Sequence, residues 1–256
     1  MIPRPSVINT LHQFSRILHK PPIQLSKTLH KPLILTDISL LYSHESPIDQ
    51  FHKIITNHRP HKIQLTNESL YDYATQYFKK RGQSSPVMIV PSPKSPAKYP
   101  VVSYKTSISS IYQIKRENIT LEETRATLKY LTNQAPTTYK RLYVECLTEC
   151  PYSGPIDVDY TLYELCQYHK YGLDEIILCD TCGKLDYESF RYLVTCLIYF
   201  GIPKSRIGFQ FRLTADFPYI RRYAQENGLI KWDVVDSPVH KKERPISYKD
   251  IYLQTI

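Results

Sequence analysis

The chain has 256 residues, enough for one large domain, and its 42% apolar and 22% charged content is ordinary for a soluble globular protein. Its seven glycines form no G-x-G-x-x-G or Walker pattern, which removes the best support for a nucleotide site, and no apolar run nears the ~20 residues that cross a bilayer. A formal net charge of +9 favours anionic partners.

In chain order, residues 1–32 read as a basic extension or a helix capping the lower end of the domain that follows. Residues 1–36 hold no acid but carry Arg4, Arg16, Lys20, Lys27 and Lys31, while Val7, Ile8, Leu11, Phe14, Ile17 and Leu18 line one side of a helix. The same acid-free start is the basis of a mitochondrial-import alternative, weakened by its having only two arginines. Cytoplasmic localisation is the leading reading: Cys146, Cys150, Cys166, Cys179, Cys182 and Cys196 occur without a secretory signal and read as reduced thiols.

Residues 33–256 then show eight strand-like runs: Leu33–Ile38, Lys62–Asn67, Pro86–Ser92, Val101–Ser107, Arg141–Thr148, Glu175–Thr181, Arg206–Arg212 and Trp232–Ser237. Near-continuous apolar runs suit buried parallel strands. Helical spacing of apolar residues marks Ile48–Arg59, Ser69–Lys80, Leu121–Gln134, Val158–Tyr171, Tyr187–Phe200, Tyr219–Asn227 and a short Ser247–Gln254. Thr120 and Glu123 form a capping box, Asp157 and Asp186 sit at N-cap positions, and Gly172, Gly201 and Gly228 follow helix ends. The expected fold is a (β/α)8 barrel. Its outer helix ring is reduced, because PSPKSPAKY between the third and fourth strands is too short and proline-rich for a helix.

Several of these segments carry a resemblance. Tyr143-Val-Glu-Cys-Leu-Thr-Glu-Cys-Pro-Tyr-Ser-Gly154, Glu175-Ile-Ile-Leu-Cys-Asp-Thr-Cys-Gly183, Ile114–Glu123 and Val235-Asp236-Ser237 resemble, in order and spacing, the 3-hydroxy-3-methylglutaryl-CoA lyase family. The resemblance implies a barrel whose divalent metal polarises substrate oxygens for retro-aldol cleavage of a carbon–carbon bond. It also implies an Arg-Asp pair on the first strand, a glutamate on the second, His-x-His on the seventh, and a cysteine in a glycine-rich loop after the eighth. This chain departs from that set. Asp37 lacks the Arg-Asp pair, Gln64 stands for the glutamate, Gln210 and Arg212 stand for the histidines, and Pro238–Pro245 holds neither glycine nor cysteine. Guanidinium offers a metal no lone pair and repels it, so the family metal is expected to be lost and no cofactor is implied in its place.

The candidate ligand-binding residues at the strand ends are Asp37, Gln64, Asp180, Thr181, Gln210 and Arg212. Asp180 and Thr181 either bind a small polar ligand or cap the next loop. Arg212 either grips a carboxylate or phosphate, or neutralises Asp180 or Asp37 in place of a metal; the second is favoured because unpaired buried charge is costly. Cys146, Cys150, Cys179 and Cys182 offer a four-thiolate zinc alternative, set against small packing residues. The leading functional expectation is a catalytically inactive relative with a binding or structural role, its partner an anionic small molecule or acyl-CoA. One alternative is a carbon–carbon lyase or aldolase with a rebuilt, metal-independent site. The other is a basic nucleic-acid-binding protein, which the lack of any nucleic-acid motif argues against.

Overall fold

The computed structural model describes residues 33–38, 46–58, 60–65, 68–83, 86–89, 99–235 and 245–252. The basic N-terminal extension, the proline-rich stretch after the third strand, Asp236, Ser237 and the Lys241–Arg244 cluster lie outside them.

Strands β1 (Ile34–Asp37), β2 (Lys62–Leu65), β3 (Val87–Ile89), β4 (Val101–Ser107) and β5 (Tyr139–Glu145) come first. A two-residue hairpin, β6 (Glu149–Cys150) and β7 (Gly154–Pro155), interrupts the series before β8 (Glu175–Cys179), β9 (Ile207–Gln210) and β10 (Lys231–Val234). The eight long strands pair in parallel in the order β1-β10-β9-β8-β5-β4-β3-β2 and close into a barrel. Among the described residues eight helices accompany them. These are α1 (Pro47–Asn57), α2 (Glu68–Lys79), α3 (Ser110–Glu117), α4 (Leu121–Gln134), α5 (Val158–His169), α6 (Tyr187–Tyr199), α7 (Phe217–Glu226) and α8 (Tyr248–Tyr252). This is the expected (β/α)8 architecture.

The helices start where their caps predict. Thr120 Oγ1 accepts from Glu123 N at 3.2 Å while the Glu123 carboxylate accepts from Thr120 N at 2.7 Å, so both free N–H groups of the capping box are used. Asp157 and Asp186 cap α5 and α6. Helix α3 is an addition to the expected set, capped by Ser109 and closed by Asn118 in the left-handed region at φ 55°. Its apolar periodicity misleads: Ile111 and Ile114 are exposed, and Tyr112 and Gln113 are the buried residues.

Strand alternation divides each strand into an outer and an inner row. Outward residues join the helices: the Phe209 and Trp232 rings lie 4.8 Å apart, tilted by 46°, and meet Phe190 of α6 and Phe217 of α7. Thr106 bonds Tyr168 of α5 at 3.1 Å. Inward residues fill the barrel. Gly208 is inward, and a Cβ there would lie 2.6 Å from Ile177 Cδ1, so a larger residue would have to displace the end of the Ile177 side chain.

Several strands stop short of their expected ends, β9 for example at Gln210 and not at Arg212, and two of these ends have a local cause. β5 stops at Glu145 because Cys146 turns into the left-handed region at φ 62°, a costly conformation for a residue with a Cβ. β8 stops at Cys179 because Asp180 and Thr181 open the turn toward α6.

Candidate functional site

The inward row is mostly polar, with Ile177, Gly208 and Met88 among the exceptions: Lys62 and Gln64 on β2, Ser103, Lys105 and Ser107 on β4, and Arg141, Tyr143 and Glu145 on β5. Glu175 and Cys179 follow on β8, Gln210 on β9, and Lys231 and Asp233 on β10. The register fixes this. Arg141 pairs with Ser103 and Glu175, Tyr143 with Lys105 and Ile177, and Asp233 with Thr36. Bonds between non-adjacent strands then show that the row faces inward: Tyr143 Oη lies 2.5 Å from both Asp233 Oδ2 and the Gln64 amide.

The lower interior is a closed charge network. Arg141, 1% exposed, places Nε 2.5 Å from Glu175 Oε2 and Nη2 2.8 Å from Asp233 Oδ1, and donates from Nη1 to Tyr143 Oη at 2.9 Å. Lys62 reaches Glu175 Oε1 at 3.2 Å from one side and Lys231 pairs with the same oxygen from the other. Tyr143 has one hydroxyl hydrogen, so it donates to Asp233. Turning the Gln64 amide so that its NH₂ meets the phenolic oxygen gives Nε2 the acceptor it otherwise lacks. Burial pushes the Glu175 carboxyl up, but Arg141, Lys62 and Lys231 together outweigh it and hold the group at about 2. Burial pushes the Lys62 amine down, against the pull of Glu175.

The upper mouth is different. Lys105 is the one exposed residue in the eight barrel strands, although it sits between buried Tyr104 and Thr106 and level with buried Tyr143. Lys105 therefore meets water where its strand neighbours do not. Around it are half-buried Glu145, Gln210 and Arg212 and buried Cys179. Burial raises the Glu145 carboxyl, opposed by the charges of Lys105, Arg116 and Arg212. Cys179 donates to Gln210 Oε1 at 3.3 Å, and burial holds its thiol well above the ordinary range, as it does Cys146 at about 12. Both are thiols rather than nucleophilic thiolates at neutral pH.

The anticipated site residues fall into four groups. Gln210 and Arg212 line the mouth, and Gln64 belongs to the network below it. Asp180 and Thr181 are engaged by loops: Lys184 N donates to Asp180 Oδ1 at 3.0 Å, and Cys146 N donates to Thr181 Oγ1 at 2.8 Å, fixing the left-handed turn at Cys146. Arg212 opposes the burial that raises the Asp180 carboxyl. Asp37 pairs with Val234 and Ile63, on the opposite face of the sheet from Thr36 and Asp233. The four-thiolate zinc site is not assembled, since among the described residues no three His, Cys, Asp or Glu side chains converge as a metal set. Cys146 and Cys150 pack with Tyr112, Cys179 packs inside the barrel with Tyr143 and Ile177, and Cys182 donates to Glu149 O at 3.5 Å. Lys62, Lys105, Arg141, Glu145, Glu175, Lys231 and Asp233 were not among the anticipated residues. Their signal was a charge at alternate positions of otherwise apolar runs.

No protein-family model and no curated protein matches the chain. Solved structures do. The HMG-CoA lyase of Brucella melitensis superposes with a TM-score of 0.69 at 16% identity, covering 86% of this chain and 89% of that one. The fold is that of the HMG-CoA lyases. The Pseudomonas aeruginosa hydroxymethylglutaryl-CoA lyase gives a TM-score of 0.72 at 15% identity, covering 87% of this chain and 84% of that one. An HMG-CoA lyase from Acinetobacter baumannii, in complex with coenzyme A and 3-methylmalate, gives 0.68 at 16%, covering 88% and 84%.

The resemblance to the lyases implies a divalent metal, and the described residues at the expected ligand positions do not fit one. Gln64 is a neutral amide already bonded to Tyr143, Gln210 Oε1 accepts from Cys179, and Arg212 brings a positive charge to the mouth. A hard cation requires carboxylate, carbonyl or imidazole donors free to converge on it.

Proposed function

We propose that this lyase-fold barrel works without a divalent metal and binds a small carboxylate-bearing molecule in its upper mouth, with no metal-dependent carbon–carbon cleavage. The observation that carries the reading is the pair of levels inside the barrel. Gln64, at the position of the lyase glutamate, is tied into a network whose central cation is Arg141, while Lys105 above it is open to water. Two cations, Lys105 and Arg212, flank that opening, and a carboxylate suits both. The 3-methylmalate held by the Acinetobacter baumannii neighbour is a carboxylate of the same general size. Six free cysteines support a reducing, cytoplasmic setting, and among the described residues no helix is long and apolar enough to cross a membrane.

Calorimetry with Mn²⁺ and Mg²⁺, paired with an assay of hydroxyacyl-CoA cleavage, tests this reading. We expect neither stoichiometric metal binding nor cleavage, and a small carboxylate such as pyruvate or malate should bind. Stoichiometric Mn²⁺ binding that a Gln210 substitution abolishes would sink it.

A further inference from the structure

The polar groups of the mouth differ in kind from those below. Lys105 rises from the inward row of β4 into water, and among the described residues no hydrogen bond or ion pair holds its amine. Glu145 stands on the next strand, one inward position higher, in register with Ser107. Lys105 belongs to the inward row, level with Tyr143 and one inward position below Glu145, and its charge acts on both Glu145 and Cys179. The Arg212 charge also acts on Glu145. A primary amine, a carboxyl group able to exchange protons with it, and a guanidinium together form the parts list for covalent capture of a carbonyl compound that carries a carboxylate.

We propose that Lys105 forms a protonated imine with a 2-oxo acid, with Glu145 transferring the protons and Arg212 holding the carboxylate. The inference rests on the mouth being the carboxylate site argued above. The Lys105 ammonium first passes a proton to the Glu145 carboxylate; the freed Nζ lone pair then adds to the ketone carbon, and the carbonyl π electrons move to oxygen, which takes that proton from Glu145. The nitrogen returns a proton to the Glu145 carboxylate. The carbinolamine hydroxyl then leaves as water, taking that proton, as the nitrogen lone pair closes the C=N bond. Lys–NH₃⁺ and R₂C=O become Lys–NH⁺=CR₂ and H₂O, with no oxidant, reductant or metal. Burial keeps Glu145 easier to protonate than an ordinary glutamate, which suits both the donating and the accepting half of the cycle. Such an imine supplies the electron sink that a polarising metal supplies in metal-dependent carbon–carbon lyases.

The experiment treats the full chain with pyruvate and sodium borohydride, digests it and locates the reduced adduct by mass spectrometry. One reduced pyruvyl group at Lys105 is expected, dependent on borohydride. It is absent in Lys105→Met and formed about 10²-fold or more slowly in Glu145→Gln. Circular dichroism confirms that each variant is folded, and Lys105→Arg serves as a second variant that keeps the charge but cannot form the adduct. Labelling spread over surface lysines, with Lys105 no faster than the rest, overturns the imine. Pyruvate binding seen by calorimetry with no adduct at Lys105 also overturns it while leaving the carboxylate-binding reading intact. Neither binding nor adduct defeats both.

Discussion

The lower and upper halves of the barrel interior are built from the same residue types and put to opposite uses. Below, Arg141, Glu175, Asp233, Lys62 and Lys231 are mutually neutralising, and the three central groups are each 1% exposed. Above, Lys105 stands in water and Glu145 and Arg212 are half-buried. A buried charge is tolerable only when its partners are complete, so the lower set is committed to holding the barrel shut. A charge left open to solvent at the catalytic end of a barrel is available to a ligand. The boundary is Tyr143, which closes the lower network with its hydroxyl and lies level with Lys105.

That contrast is breakable. The largest expected effect is from Arg141→Met, which leaves the buried Asp233 carboxylate without its cation and Glu175 with only Lys62 and Lys231, and should cost about 3–5 kcal/mol in urea unfolding. Adding Glu175→Gln and Asp233→Asn should recover part of it. A loss below about 1 kcal/mol would mean that water reaches the lower network and that the two halves are not distinct.

Acid tests the same network without mutation. The folded Glu175 carboxyl is held at about 2, below its ordinary 4.5. A depressed carboxylate stabilises the fold fully above its unfolded value and loses that contribution as pH falls toward the folded one. Stability should therefore drop by about 3 kcal/mol between roughly pH 4.5 and pH 2. Glu175→Gln should flatten the curve in that window, and an unchanged slope would remove Glu175 from the account.

Smaller effects mark the boundary itself. Tyr143→Phe deletes the hydroxyl shared by Arg141, Asp233 and Gln64 and should cost about 1–3 kcal/mol. Thr181→Val removes the acceptor for Cys146 N–H, which props the left-handed turn at the end of β5, and should cost about 1 kcal/mol. If Thr181→Val costs as much as Arg141→Met, the loops, and not the lower network, dominate the stability of the upper end.

The sequence displayed the frame far better than this division. Val101–Ser107 and Leu121–Gln134 matched their elements to the residue, because strand composition and the Thr120 capping box are local signals. The fate of the charges is not local. Lys62, Arg141, Glu175, Lys231 and Asp233 stand at alternate strand positions in plain view, yet which of them meet depends on closing the barrel: Arg141 and Asp233 are 92 residues apart. Reading the strand ends drew attention to Arg212 as the cation replacing a metal, whereas the fully buried cation is Arg141, six residues before Leu147 and four before the end of β5. Asp180 and Thr181 were equally legible as ligand groups or loop props, and only their bonds to Lys184 and Cys146 distinguish the uses they have here.

The smallest expected effect on stability is the most telling. Lys105→Met replaces an exposed amine that no described residue holds, so unfolding should shift by no more than about 0.5 kcal/mol. The slightly shorter, apolar methionine side chain should pack acceptably beside Tyr143. Yet this substitution should abolish the pyruvate adduct and weaken carboxylate binding, whereas Arg141→Met should damage the fold first and binding only as a consequence. A Lys105→Met protein that unfolds as readily as the Arg141 variant would show that Lys105 is another strut of the lower network, and the division between a structural floor and a chemically available mouth would fall with it.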